Sequence, residues 1–171
     1  MYIFIDTEFT RLTRDAELIS LGAVSEDGRR FYCELAPVDQ ARCSEFVRNV
    51  VLPLLEGGAV ACSRAEFAAR LADWLRGFDN PVLLSDSEWD IYVLRHALTG
   101  QLDWRPGSVH IDSRVEATLL TLAPMDDQAY AVFEGTVNKY YEIDPRQHHA
   151  LVDALAIRAG LLAVRAATEG A

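Results

Sequence analysis

Asp6 and Glu8 stand one residue apart in the stretch FIDTEFT. Side chains at i and i+2 of a strand point the same way, so the two carboxylates would sit side by side and repel unless a cation lies between them. The alternative is a strand that simply emerges into water there, with both acids solvated. Two more acids lie where helices meet apolar surroundings. Asp90 falls within LLSDSEWDIYVLRHAL, on or just before a helix, and Asp153 within QHHALVDALAIRAG. Leu151, Ala154, Leu155 and Ile157 flank Asp153, which places it near the apolar side of its helix. A charge there is expensive unless it is paired or metal-bound.

Such an inventory suits hard divalent cations. Mg²⁺ and Mn²⁺ favour oxygen ligands, often a few carboxylates completed by water and phosphate. Two such ions about 3.5–4 Å apart activate a water and stabilise the leaving oxygen of a phosphodiester, and Asp6 on a rigid strand is placed to bridge them. The reaction also needs a base, and histidine titrates near neutrality. His96, His110, His148 and His149 are available. His148 and Asp153, five residues apart, would diverge by about 140° on a regular helix. They converge if His148 lies in the loop before the helix or in a first turn curling over the site. The alternative is a helix starting at DPRQ, with Asp144 as cap, Pro145 first and Gln147 third, which leaves both histidines on helix surfaces.

The elements that must position these groups follow from the pattern. Tyr2, Ile3, Phe4 and Ile5 read as a strand buried on both faces, near the middle of a mixed or parallel sheet. ELISLGAVSEDGRRFYCEL reads as two strands joined at an Asp-Gly turn, giving an antiparallel three-stranded start. CSEFVRNVVLPLLEG is helical but limited by Pro53. SRAEFAARLADWLRGF is a better helix, with a Ser63–Glu66 capping box and a stripe of Phe67, Leu71, Trp74, Leu75 and Phe78. NPVLLSDS reads as a short buried strand and WDIYVLRHALTG as a helix ending at Gly100. SVHIDS is predicted as a strand leading into a helix over SRVEATLLTLA, capped by Ser113 and Glu116, with Asp112 read as a capping residue rather than a fifth ligand. Two helices follow, over MDDQAYAVFEGTVNKYYEI and ALVDALAIRAGLLAVRAA. The fold class is α/β with a mixed sheet.

The 171 residues are expected to form a single domain over 1–171. Half are hydrophobic and a quarter charged, as in ordinary globular proteins. No apolar run is long enough to span a membrane and no secretory signal is visible. Cys33, Cys43 and Cys62 are odd in number and lack metal-ligand spacing, which argues against structural zinc and a disulfide framework. The expectation is a reduced, cytoplasmic protein without membrane contact. A net charge of −10 counts against holding nucleic acid by bulk electrostatics, though not against an enzyme that meets phosphate through bound metal.

Taken together, these segments resemble the DEDDh group of 3′–5′ exonucleases on the ribonuclease H-like fold, which includes ribonuclease T and oligoribonuclease. The group's Asp-x-Glu on the opening strand is matched by Asp6 and Glu8. Its aspartate after a buried strand, preceded by an aromatic, is matched by Trp89 and Asp90. Its histidine followed by four residues and an aspartate is matched by His148 and Asp153, and His149 is one residue out of register and reads as incidental. The resemblance implies two Mg²⁺ or Mn²⁺ ions held by Asp6, Glu8, Asp90 and Asp153, with His148 deprotonating the attacking water. It implies Phe9, Leu12 and Trp89 as substrate contacts; for Phe9 and Leu12 ordinary packing at the strand end is the alternative. Arg11 and Arg14 are either phosphate contacts or solvated loop residues. Asp86 departs from the group's usual asparagine and sets an extra acid near the site, with consequences for substrate contacts or metal preference. The implied activity is a metal-dependent 3′–5′ exoribonuclease on single-stranded RNA 3′ ends. The alternatives are a 3′–5′ DNA exonuclease, trimming or proofreading, and a non-catalytic RNA-binding module on the same fold. Several ribonuclease T-like enzymes are homodimers, so a homodimer is a further expectation.

Overall fold

A computed structural model describes residues 1–169. The strand β1 (Tyr2–Phe9) lies at its centre and separates two apolar layers. Its odd residues Ile3 and Ile5 join Leu71, Ile91 and Leu94, whereas Phe4 joins Val24, Ala154 and Ile157. The alternation of a strand thus decides which layer each later residue addresses.

β2 (Leu18–Ser25) and β3 (Arg30–Leu35) complete the antiparallel start, turning at Asp27-Gly28 where Gly28 takes φ +90°. The next segment is helical but broken. A π-helical turn (Val47–Val51) gives way to a 3₁₀ turn containing Pro53, whose ring and missing N–H prevent a regular α-helix. Val47 and Val51 pack on Ile19, which holds this segment against the sheet.

β4 (Ala61–Cys62) leads into α1 (Arg64–Leu75), which has the expected Ser63–Glu66 capping box and buries Phe67, Leu71 and Leu75. β5 (Val82–Ser85) and α2 (Glu88–Thr99) follow, and α2 stops at Gly100 with φ +72°. β6 (Gly107–His110), β7 (Glu116–Thr121), α3 (Asp127–Ile143) and α4 (Ala150–Glu169) complete the described residues. The sheet order is β4-β3-β2-β1-β5-β7-β6. β1, β5 and β7 run parallel, and β2 and β6 run antiparallel to their neighbours. None of the described helices is long and apolar enough to cross a membrane.

The helix expected over SRVEATLLTLA is instead the strand β7. Asp112 accepts hydrogen bonds from the N–H groups of Arg114 (2.7 Å) and Val115 (2.8 Å), and Ile111 N–H donates to Val115 O (2.9 Å). These bonds close a β6–β7 hairpin. β7 then pairs with both β6 and β5, which satisfies its backbone and overrides the local capping pattern. Asp112 is therefore a turn-former, ion-paired to Arg76 at 2.6 Å, and neither a helix cap nor a metal ligand. The early helix start at DPRQ is also absent. Asp144 ends α3, its N–H donating to Tyr140 O, and its carboxylate pairs with Arg146 at 2.7 Å.

Gly22 of β2 lies directly opposite Asp6 in the β1–β2 register. A Cβ there would overlap the backbone of Ala150 and Leu151, so only glycine lets the first turn of α4 press onto the sheet. Gly22→Ala is expected to destabilise the protein by about 2 kcal/mol, as overpacking does, and to push Asp153 away from β1. A urea titration with a parallel divalent-cation titration checks both effects; unchanged values in each would mean that α4 does not depend on this approach.

Candidate active site

Asp6 and Glu8 share the even face of β1 with Phe4, which is the face α4 covers. Asp153 is the fourth residue of α4, and the close approach at Gly22 brings it to them. Thr7 faces the other layer, where α2 lies. β5 pairs with β1 only as far as Phe4↔Leu84, so the β5 side of β1 has no strand partner at Thr7. Asp90, in the first turn of α2, fills that place. Its Oδ1 accepts from Thr7 N–H (3.1 Å) and Thr7 Oγ1 (2.6 Å), and its Oδ2 accepts from Ser85 Oγ. The acids thus collect at the carboxyl ends of β1 and β5, where the sheet changes from antiparallel to parallel pairing, the usual place for ligands in open α/β sheets.

His148 lies in the loop before α4, with φ +71°. The left-handed region costs a residue with a Cβ on the order of 1 kcal/mol, and several contacts hold it there. His148 N–H donates to Asp153 Oδ2 (2.9 Å), and its ring stands perpendicular to that of Phe46 with centroids 4.9 Å apart. His149, read from sequence as incidental, anchors the loop: it is buried, stacks on Tyr32 (4.5 Å), and sets Nε2 3.2 Å from Glu56 Oε1. Tyr141 of α3 donates to Asp153 Oδ1 at 2.9 Å. It can reach because Gly160 lets α3 close on α4; a Cβ there would lie 2.6 Å from the Phe133 ring.

The potential ligand atoms fall into two groups. One atom each from Glu8, His148 and Asp153 lie within 4.8 Å of one another, and so do atoms from Asp6, Asp86 and Asp90. Glu8, Asp90 and Asp153 are only 9, 2 and 8% exposed. Burial is the main cause of their raised pKa values: about 9 for Glu8, about 7 for Asp90 and about 6 for Asp153. Hydrogen bonds from Ser85 and Thr7 to Asp90, and from Tyr141 to Asp153, restrain the rise. Asp6 is also raised well above the ordinary carboxylate range, by burial first and then by Asp90, Glu8, Asp153 and Asp86. Burial lowers the His148 pKa, which favours the neutral imidazole.

Divalent cations fit this donor set. Among the described residues Asp6 Oδ2 is buried without a hydrogen-bond partner, and none of their ion pairs involves Asp6, Glu8, Asp86, Asp90 or Asp153. All-oxygen groups with one imidazole suit hard ions such as Mg²⁺ or Mn²⁺. A cleft of about 450 Å³ opens onto them, lined also by Phe9, Leu12 and Phe46. Leu12 and Phe46 are 68 and 51% exposed, large apolar groups left beside a polar centre. Trp89 does not line this cleft; it stacks on Phe9 (5.9 Å) and meets Trp104 edge-on (4.6 Å), supporting Phe9 from the core side. Arg11 lines the cleft but is paired with Asp15 at 2.7 Å. Nothing in the sequence marks Phe46 or Tyr141 as part of the site, since each sits in a helix pattern indistinguishable from packing.

No family model matches the chain. A stretch of 78 residues is 40% identical to the 3′–5′ exoribonuclease Rv2179c of Mycobacterium tuberculosis, and equally to its counterpart in a second strain. That match covers 44% of this chain and 46% of each relative, about half the relatives' length. Among solved structures, a 3′-exonuclease concerned with 3′-end specific recognition of a histone mRNA stem-loop superposes over 99% of this chain and 82% of its own, with a TM-score of 0.56 and 15% identity. The zinc-bound E. coli ExoI–ssDNA complex superposes over 98% of this chain and 41% of its own, with a TM-score of 0.61 and 16% identity. These likenesses establish the fold, which is ribonuclease H-like: a mixed sheet flanked by helices.

Proposed function

We propose that this chain is a metal-dependent 3′–5′ exonuclease of the DEDDh type, acting on single-stranded RNA ends. The observation that carries the reading is the convergence of Asp6, Glu8, Asp90, Asp153 and His148, from three separated stretches of chain, at the floor of one cleft. The match to a 3′–5′ exoribonuclease supports RNA as the substrate.

Two divalent ions, when bound, supply positive charge to the scissile phosphodiester and lower the pKa of a water. Asp6, Glu8, Asp90 and Asp153 would hold them. Thr7 and Ser85 fix the rotamer of Asp90, and Tyr141 with the His148 N–H fixes that of Asp153. The neutral His148 ring takes a proton from the attacking water at its free nitrogen. Phe9, backed by Trp89, and Leu12 offer apolar faces to the terminal bases, and base stacking is tolerant of sequence. The net charge of −10 leaves affinity to the cations and these faces rather than to a basic surface.

The test uses 5′-labelled single-stranded RNA and DNA of matched sequence with Mg²⁺, Mn²⁺ or EDTA, beside Asp6→Ala protein. A ladder shortening from the 3′ end, dependent on metal and lost in the variant, is expected, with RNA degraded faster than DNA. Faster digestion of DNA would make the chain a DNA exonuclease. Folded protein that digests neither polymer with any metal would sink the enzymatic reading and leave a binding module.

A further inference from the structure

Asp86 follows β5 directly, in the bend between Ser85 and the α2 cap Ser87. It keeps access to solvent, yet one of its carboxylate oxygens lies within 4.8 Å of oxygens from both Asp6 and Asp90. No side-chain hydrogen bond or ion pair to another described residue holds it there. Thr7 and Ser85 already satisfy Asp90, whereas Asp6 Oδ2 is buried with no partner. A surface acid free to swing into water, beside two others and without a cation, sits against its own electrostatic preference. An ion between the three carboxylates removes that conflict and gives the orphaned Asp6 oxygen a partner.

Building on the two-ion reading above, we infer that Asp86 is a fifth metal-site carboxylate, completing with Asp6 and Asp90 the binding position of one of the two divalent cations. The other position, formed by Glu8 and Asp153 beside His148, has two carboxylates and does not include Asp86. The two positions are therefore unequal. The Asp86 position carries the greater negative charge and a solvent-facing ligand. An acidic ligand there, in place of a neutral one, raises affinity for a hard divalent cation at that position alone.

The experiment is calorimetric titration of Mn²⁺ into the unsubstituted protein, Asp86→Asn and Asp86→Ser, with melting curves in EDTA and in Mn²⁺. Two binding events are expected for the unsubstituted protein. Both variants should weaken one of them by about tenfold or more and leave the other within twofold. In EDTA the variants should melt at or above the unsubstituted protein, because repulsion is relieved, and they should gain less from Mn²⁺. Two unaltered binding events in both variants would overturn the assignment of Asp86 while leaving the two-ion reading intact. Equal weakening of both events would also overturn it, marking a general field rather than ligation. No Mn²⁺ binding by the unsubstituted protein would defeat the two-ion reading itself, and this inference with it.

Discussion

His148→Ala is expected to lower the rate of phosphodiester hydrolysis by about two to four orders of magnitude, the usual worth of a positioned general base. Divalent-cation affinity should change little, because the carboxylates of Glu8 and Asp153 remain. The imidazole is suited to the task by its surroundings. Burial lowers its pKa from the ordinary value of 6.5, so the ring stays neutral and able to accept a proton at neutral pH. The backbone N–H is committed to Asp153, which fixes where the ring starts, and the perpendicular Phe46 ring limits where it can turn. Single-turnover rates between pH 5 and 9 should show an acidic limb in the unsubstituted protein that is absent from the variant. Loss of Mn²⁺ affinity in parallel with the rate would make His148 a ligand instead of a base.

The central elements could be read from the sequence because their signals were local and redundant. The apolar run before Asp6, the Asp-Gly turn and the Ser63–Glu66 capping box each specify one geometry by chemistry within a few residues. β7 carries a misleading local signal, because Ser113 and Glu116 imitate a capping box, while the partners that decide its state, β5 and β6, lie elsewhere in the chain. The segment around Val47–Val51 reads as helical, but its π-turn, which carries Phe46 to the cleft, has no pattern of its own.

The carboxylates were visible as types and spacings, and the fold adds the reasons they meet. Nothing near Gly22 in the sequence announces that α4 must touch β2 there, yet that contact sets Asp153 opposite Asp6. Thr7, between the two acids of the first motif, reads as a spacer and proves to be the donor that orients Asp90. The placement of His148 was open because five residues on a regular helix would have separated it from Asp153. A left-handed residue outside the helix resolves this, and the buried His149 beside it shows why the loop keeps that shape.

In EDTA, stability should fall steeply as pH rises from about 5 to about 9, by several kcal/mol, and Mn²⁺ should remove most of that slope. The direction follows from the raised acids. An unfolded chain releases carboxyl protons near pH 4, whereas the folded protein keeps them on Glu8 up to about 9, on Asp90 to about 7 and on Asp153 to about 6. Across that window the folded state binds more protons than the unfolded, so each increment of pH favours unfolding. The stabilising contribution is complete below the unfolded values and is lost as pH passes through the folded ones. Surface acids held low by arginine, such as Asp103 at about 2 beside Arg105, titrate below the window and leave its slope alone. Cations supply the charge the carboxylates lack, so the loaded protein no longer needs the protons. Urea titrations at pH 5, 7 and 9, with EDTA or Mn²⁺, measure the effect. Glu8→Gln should remove a large part of the EDTA slope, because burial raises Glu8 far above its unfolded value. A flat EDTA profile in the unsubstituted protein would mean that these acids relax into water when no cation holds them together.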